Sequence, residues 1–483
     1  MEPRVMPSTI DYSTMLPLSI PAMASRRKYF PSNGSTFSRQ GNSQIRIELA
    51  HGSALLDPTH SYLEFRVQNT NAAATFGVDV GGSNCFFENV RIEQGGKLLS
   101  YTQASNRLHC SVLSPVQMSS EGVATGGITN ANRSYNTVGT SSITPFAPGS
   151  DGRFYDVAAH NSDGFFVAGA VHRFTMPITS GLFSQDKLIP LPLVDPSAPI
   201  TIILDCAPAE DVGAWSAAPG GGDIKILECS YIAHLIEVGT DVIDQFRMVQ
   251  AEMGGQLALS GQDYEYFAQA LPAGSNGTVS LNCPARKRSI KSIFWCSQSN
   301  DYAAAAGGIT AAEAYNMSFS GSANIQDYQF RVGPILYPPT PITCWGSTAV
   351  VGAEFLRGEA LMELAKSVGT MSKTNPTGIL STTTYGTDVL GLASGKNGLG
   401  GATHCPISNA AYAFCPFGIS TDSFMRDVVE SGVDSATLAQ DTVLMLNWPA
   451  GVNSDAEVQT VHMFVLFDQH YYFNSDGSVT YSN

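Results

Sequence analysis

The sequence predicts an all-β protein made of two tandem β-sandwiches or barrels, with short helices and long loops. Three observations predict it. Apolar residues recur mainly with a period of two, helical periodicity is sparse, and the order of elements in the first half repeats in the second.

The strands follow in order. "QIRIELA" (44–50) sets Ile45, Ile47 and Leu49 against Arg46 and Glu48, and "SYLEFRVQ" (61–68) sets Leu63, Phe65 and Val67 against Tyr62, Glu64 and Arg66. Both read as half-buried strands. Further candidates are 88–94, 199–205, 224–238, 278–283, 289–298, 314–321, 328–332, 441–448 and 457–473. Between them, residues 172–208 carry two short apolar segments, 188–194 and 200–204, punctuated by Pro190, Pro192, Pro196 and Pro199. The prolines exclude a helix and point to a strand block broken at sheet edges.

Two helices are expected. The stronger spans 352–368, where Phe355, Leu356, Ala360, Leu361, Leu364, Ala365 and Val368 share a stripe. The weaker spans 105–116. Two Gly/Ser/Thr/Asn-rich stretches, about 117–170 and 370–420, hold few strand signals and occupy similar places in the two halves.

Composition narrows the function. Of 483 residues, 43% are hydrophobic and 14% charged, enough apolar matter for a large core under a polar but weakly charged surface. The formal net charge of −15 disfavours a free nucleic-acid binder. The first 50 residues carry a local excess of +3, centred on "SRRKYF" with Arg26, Arg27 and Lys28. These side chains suit a solvated arm or an occasional phosphate contact. The N-terminus, interrupted by Pro3, Pro7, Pro17 and Pro21, lacks signal-peptide organisation, and no apolar run spans a bilayer. An intracellular origin is therefore expected. The nine cysteines include no C-x-x-C pair and read as small buried hydrophobes in a reducing compartment.

Catalytic patterns are missing. There is no G-x-S-x-G elbow, no H-E-x-x-H and no H-x-H among the nine histidines. "GLASGKNG" (391–398) lacks the Ser/Thr after Lys396 that a phosphate loop needs. Asp241 and Asp244 read as caps or solvated groups. "ARKRSIKS" (285–292) gathers Arg286, Lys287, Arg288 and Lys291 without interleaved aromatics, and reads as an interface charge cluster. No catalytic residue, metal ligand or cofactor is expected.

Three blocks resemble a known family: "LDPTHSYLEFRV" (56–67), "FFENVRIEQGGKLL" (86–99), and residues 173–205 with "IPLPL". "SIKSIFW" (289–295), "YQFRVGPILYPPTPI" (328–342) and "VHMFVLFDQHYYFNSDGSVTY" (461–481) extend the likeness. The chain resembles the double-jelly-roll major capsid proteins of small eukaryotic DNA viruses, polinton-like viruses and virophages. The resemblance implies two eight-stranded jelly rolls, spanning 44–245 and 246–483, after an N-terminal arm of 1–43. It implies a homotrimer forming a pseudo-hexagonal capsomer, many of which tile an icosahedral shell around double-stranded DNA. Penton and minor capsid proteins are its implied partners, and the virion its location. The arm, with Arg26, Arg27 and Lys28, is expected on the inner face in weak contact with DNA, and the two long loops on the outer surface.

Two rival readings remain. A non-viral tandem β-sandwich binding module, lectin-like, shares the fold class. A cupin-type enzyme would need clustered histidines. Within the capsid class, a penton would carry one jelly roll rather than two.

Overall fold

The computed structural model describes residues 22–50, 52–72, 76–78, 81–117, 165–166, 169, 171–179, 181–185, 187–215, 222–299, 317, 320, 325–344, 358–369, 416–422, 432–436, 441–448, 454 and 458–482. The loops expected at 117–170 and 370–420, the strand at 314–321, the start of the helix at 352–368 and the segment 391–398 lie wholly or largely outside the described residues.

The first sandwich has eight principal strands: β1 (Ala22–Tyr29), β3 (Gln44–Leu49), β4 (Ala54–Asn69), β6 (Phe87–Gln94), β7 (Lys97–Thr102), β9 (Val171–Met176), β10 (Ile200–Cys206) and β12 (Ile224–Val238). One sheet has the order β1-β12-β4-β9, and the other β3-β10-β6-β7. Short β2 (Thr36–Phe37) adds to β12, while β5 (Phe76–Val78), β8 (Phe165–Phe166) and β11 (Gly213–Trp215) form a small third sheet.

The second sandwich repeats the scheme with β13 (Gln256–Leu271), β14 (Thr278–Cys283), β15 (Ile290–Ser299), β16 (Asp327–Val332), β17 (Ile335–Thr343), β18 (Phe417–Ser420), β19 (Thr442–Asn447) and β20 (Gln459–Asn474). Its sheets are β13-β20-β15-β18 and β14-β19-β16-β17, with β21 (Val479–Ser482) added to β20. Counting principal strands one to eight, both halves have the orders 1-8-3-6 and 2-7-4-5. This is a long antiparallel hairpin, pairing 1·8, 2·7, 3·6 and 4·5, rolled up until 8 meets 3 and 7 meets 4. Each half is a jelly roll.

Alternation explains the half-buried strands. In β3, Ile45, Ile47 and Leu49 are buried while Arg46 and Glu48 are exposed. In β4, Leu63, Phe65 and Val67 face inward. Phe65 stacks on Phe174 with centroids 5.6 Å apart and meets Phe87 edge-on at 5.0 Å. The described part of β15 is buried on both faces, which explains its nearly continuous apolar run. There Trp295 stacks on Phe417 at 4.3 Å and meets Tyr328 edge-on at 5.5 Å.

Several expectations need correction. Residues 22–43 are not an arm apart from the first sandwich, because β1 pairs along its length with β12, from Ala22↔Val238 to Tyr29↔Tyr231. Its backbone is held by hydrogen bonds while nearly every side chain is exposed, so it shows no apolar alternation. The boundary at 245/246 falls inside a helix, Thr240–Glu252. Val242, Ile243, Phe246 and Val249 recur there at helical spacing, and only Ile243 and Gln250 of the helix are buried. Residues 188–194 form no strand. Pro190 and Pro192 lack N–H groups, so the chain makes a single bridge, Leu56 with Ile189, before a 3-10 turn at Leu191–Leu193. Ile189, Leu191, Leu193, Ile200, Ile202 and Leu204 are nevertheless core residues, and Leu188 is half-buried.

The remaining helices are named in chain order. The weaker predicted helix is α1 (Ser105–Leu108), continued by a π turn (His109–Leu113) and α2 (Ser114–Gln117). Thr240–Glu252 is α3. The stronger predicted helix is α4, Gly358–Ser367, with Ala360, Leu364 and Ala365 buried as its stripe requires.

Trp295 tests the second core. It is fully buried, yet its indole N–H has no hydrogen-bond partner among the described residues. Trp295→Phe should cost under about 1.5 kcal/mol, and Trp295→Ala about 3–5 kcal/mol. Denaturant unfolding followed by circular dichroism reads both.

Candidate functional site

Among the described residues, no three His, Cys, Asp or Glu side chains gather as a metal site, and no helix is long and apolar enough to cross a membrane. The most elaborate polar construction is instead the seam between the two sandwiches.

The seam begins with a strand edge. Among the described residues β7 ends its sheet, so one row of its backbone groups has no neighbouring strand. Side chains from the second sandwich serve that row. Asp263 of β13, 2% exposed, accepts Tyr101 N–H at 3.3 Å, and Gln469 Nε2 of β20 donates to Leu99 O at 3.0 Å. Asp263 also accepts from Ser100 Oγ at 2.6 Å, Thr102 Oγ1 at 2.8 Å and Tyr264 N–H at 2.8 Å. The reverse arrangement closes β21. Gln94 Nε2 donates to Gly477 O at 2.8 Å, and Gln94 Oε1 accepts Val479 N–H at 2.6 Å. Gln94 is aimed there by the two-residue β6–β7 turn, whose Gly95 and Gly96 both have positive φ.

Two glycines let the backbones touch. Gly181 N–H donates to Gln262 O at 3.0 Å. A Cβ on Gly261 would sit 2.6 Å from Gly181 O, and one on Gly181 would sit 2.1 Å from Ser100 Oγ.

Apolar packing crosses the seam in both directions. Leu259, Tyr471, Phe473 and Val479 of the second half join the first core. Leu108, Val112, Leu113 and Val116 of the helical run pack with Phe294, Leu364 and Phe464 of the second half. Arg107 donates to Gln298, and Ser111 Oγ to Met317 O at 2.8 Å. Tyr266 OH lies 2.7 Å from His462 Nδ1. Burial, with Arg107 nearby, holds that imidazole well below its usual pKa, so it stays neutral.

Most of the predicted charged residues lie away from the seam, whereas Lys287 lines the same cleft as Asp263 and Gln469. Arg26, Arg27 and Lys28 are on β1: Arg26 donates to Tyr62 OH at 3.3 Å, Arg27 lies over the Tyr29 ring, and Lys28 pairs with Glu64 at 2.8 Å. The Lys28 hydrogen bond holds the Glu64 carboxyl below its ordinary pKa, with Arg173 reinforcing it. The second group is divided. Lys291 is buried between Asp422 at 3.1 Å and Asp468 at 3.3 Å, so it is an internal ion pair. Lys287 lies over the Phe467 ring and 3.5 Å from Glu265. Arg286 reaches Asp441 at 3.7 Å, and Arg288 is exposed. Asp241 and Asp244 are exposed on α3, the latter 3.4 Å from Arg247.

The seam residues Asp263, Gln94 and Gln469 were not anticipated. The buried positions of β13 are odd-numbered, and Asp263 follows Leu259 and Gly261 in that inward phase. A lone acid in the buried phase of a strand is the sequence signal, and it requires the strand to be recognised first.

The fold matches solved structures along its length. A chain of a quasi-atomic model of the PBCV-1 virus capsid is 11% identical, with a TM-score of 0.54, covering 98% of this chain and 100% of its own. PBCV-1 VP54, fitted into a reconstruction of the virophage Sputnik, is 9% identical, with a TM-score of 0.53 and coverage of 98% and 99%. A chain of the Sputnik virophage structure is 10% identical, with a TM-score of 0.53 and coverage of 99% and 92%. No family model and no curated protein matches the sequence.

Asp263 carries a pH signature. Burial raises its pKa against the opposing pull of its donors, so ionising it is harder in the folded chain than in the unfolded one. Its stabilisation is full below the unfolded value of about 4 and falls as pH rises through the folded value. Asp263→Ala should cost about 3 kcal/mol through orphaned hydroxyls and N–H groups. Asp263→Asn should be less stable than wild type by an amount that narrows from pH 4 to pH 7. Denaturation midpoints check this, and a deficit that widens with pH would mean that the four donors outweigh burial.

Proposed function

We propose that this chain is the major capsid protein of a small double-stranded DNA virus. Three copies form a pseudo-hexagonal capsomer, and many capsomers tile an icosahedral shell. The observation that carries this reading is the pair of complete jelly rolls, of identical strand order, locked by buried polar bonds into one body. That body is alike over nearly its full length to chains of the PBCV-1 capsid and the Sputnik virophage.

The physics supports it. Two similar blocks at a fixed mutual angle, repeated by a three-fold axis, present six similar blocks around a ring. A shell then needs only weak contacts at each capsomer edge, because closure sums them. The function is geometric, so the chain acts as a structural protein and not as an enzyme.

The partners follow. The chain binds itself, then neighbouring capsomers, with penton and minor proteins at the vertices and seams of the shell. Exposed parts of Arg26, Arg27 and Lys28 supply any weak contact with packaged DNA.

The first experiment is light scattering on the purified chain, with negative-stain imaging of the same peak. Three copies of the 51.3 kDa chain should give about 154 kDa and a six-sided outline. A stable monomer or a two-fold dimer would overturn the proposal in favour of a lectin-like binding module. Truncation separates the arm from the sandwich. Deleting 1–21 should leave the trimer intact but prevent closed shells, as seen by electron microscopy. Deleting 1–43 also removes β1 and should lower the melting temperature.

A further inference from the structure

Cys85 and Cys110 place their sulfurs 3.3 Å apart, and both residues are fully buried. Cys85 belongs to the 3-10 turn Gly82–Phe86, which leads into β6 of the first sandwich. Cys110 belongs to the π turn His109–Leu113. That helical run sends Leu108, Val112, Leu113 and Val116 into the second sandwich, so it bridges the two halves.

Two further features are built around the sulfur pair. Gly81 has an ordinary φ of −66°, so its conformation does not demand glycine. Space does: a Cβ there would lie 2.6 Å from Cys110 Sγ and 3.1 Å from Cys85 Sγ. The π turn is the second feature. It inserts a residue into the helix and so changes the direction in which the side chains of that turn point.

We propose that Cys85 and Cys110 are an oxidation site, at which a small peroxide produces a disulfide that staples the bridging helix to the first sandwich. One thiol loses its proton and its sulfur attacks hydrogen peroxide; the O–O bond breaks, a sulfenic acid forms, and the departing hydroxide takes up that proton as water. The second thiol attacks the sulfenic sulfur. The S–S bond forms, the S–O bond breaks, and the hydroxyl leaves as water with the second thiol's proton. Two thiols lose two electrons and two protons, and one peroxide becomes two waters. The sulfurs are shielded, so the reaction proceeds when the helix opens locally, and a small oxidant is required.

The site differs from a general reducing-compartment cysteine in its timing. The chain is made with both thiols reduced, and the staple closes after the assembled shell leaves the cell. That order of events rests on the capsid reading, whereas the chemistry of the pair does not. The staple closes a loop of about 25 residues, long enough to restrict the unfolded chain appreciably.

The test uses the full-length chain, treated with hydrogen peroxide, quenched with an alkylating agent under denaturing conditions and mapped by mass spectrometry. The expected result is a peptide pair joined through Cys85 and Cys110, lighter by two hydrogens and absent after dithiothreitol. The oxidised protein should melt about 5 °C higher, and the gain should vanish in both Cys85→Ser and Cys110→Ser. Recovery of both residues as alkylated thiols, after exposure sufficient to oxidise methionines, would overturn the proposal. So would sulfinic acids or joining to other cysteines. The two readings fail separately: a monomer that forms the disulfide overturns the capsomer and leaves this site standing, and a trimer that does not form it does the reverse.

Discussion

Strand edges meet at the seam between the sandwiches, and side chains rather than strands close them. β7 leaves Tyr101 N–H and Leu99 O without a neighbouring strand, and Asp263 and Gln469 fill those places. β21 leaves Val479 N–H and Gly477 O, and both are met by Gln94. A continuous sheet across the seam would force the two halves into one twist. Capping by single side chains satisfies the same backbone groups while each sandwich keeps its own curvature. The tolerance is small, because Gly181 and Gly261 leave no room for a Cβ at the point of closest approach. The mutual angle of the two blocks is therefore set by local chemistry rather than by a linker.

That rigidity bears on what such a body does. A buried carboxylate with four donors is a costly way to join two domains, since an apolar seam would serve cohesion as well. What it adds is specificity of orientation, because a shifted seam would strand both the hydroxyls and the backbone groups of β7. Orientation is the property a tiling block requires. A binding module with two independent sites would gain nothing from fixing them, and two domains joined for stability alone would not need a glycine pair at the contact. The seam therefore supports a building-block role more directly than the lack of catalytic patterns does.

Most of the fold was legible, and the misses have physical causes. β3, β4 and β16 announce themselves because each faces a core on one side only. β15 and the middle of β20 read as apolar runs because both faces are covered. β1 stayed hidden because hydrogen bonds to β12 hold it with almost no burial. β13 stayed hidden because its inward phase runs through Gly261 and Asp263, which serve the seam rather than a core. The same cause hid the candidate site. Residues such as Gln94 and Gln469 are polar and unremarkable along the chain, and they acquire meaning only when a second domain brings a strand edge to them. The cationic groups misled for the opposite reason. Their clustering is visible in sequence, but Lys291 is spent on two half-buried carboxylates, and Lys28 on Glu64.

Two of the strand edges are unsuited to pairing with a further strand, which bears on the proposed assembly. β17 ends its sheet and carries Pro338, Pro339 and Pro341, whose missing N–H groups make it a poor template for another strand. β1 ends the other sandwich's sheet with Arg26, Arg27 and Lys28 along it, charges that would be buried against each other in an edge-to-edge pairing of two copies. Both edges are thus blocked from open-ended strand addition, the route by which β-sandwiches form fibres. The proposed assembly would then rest on surfaces that side chains define. Such surfaces admit a fixed set of neighbours, and only contacts of that kind close into a finite shell.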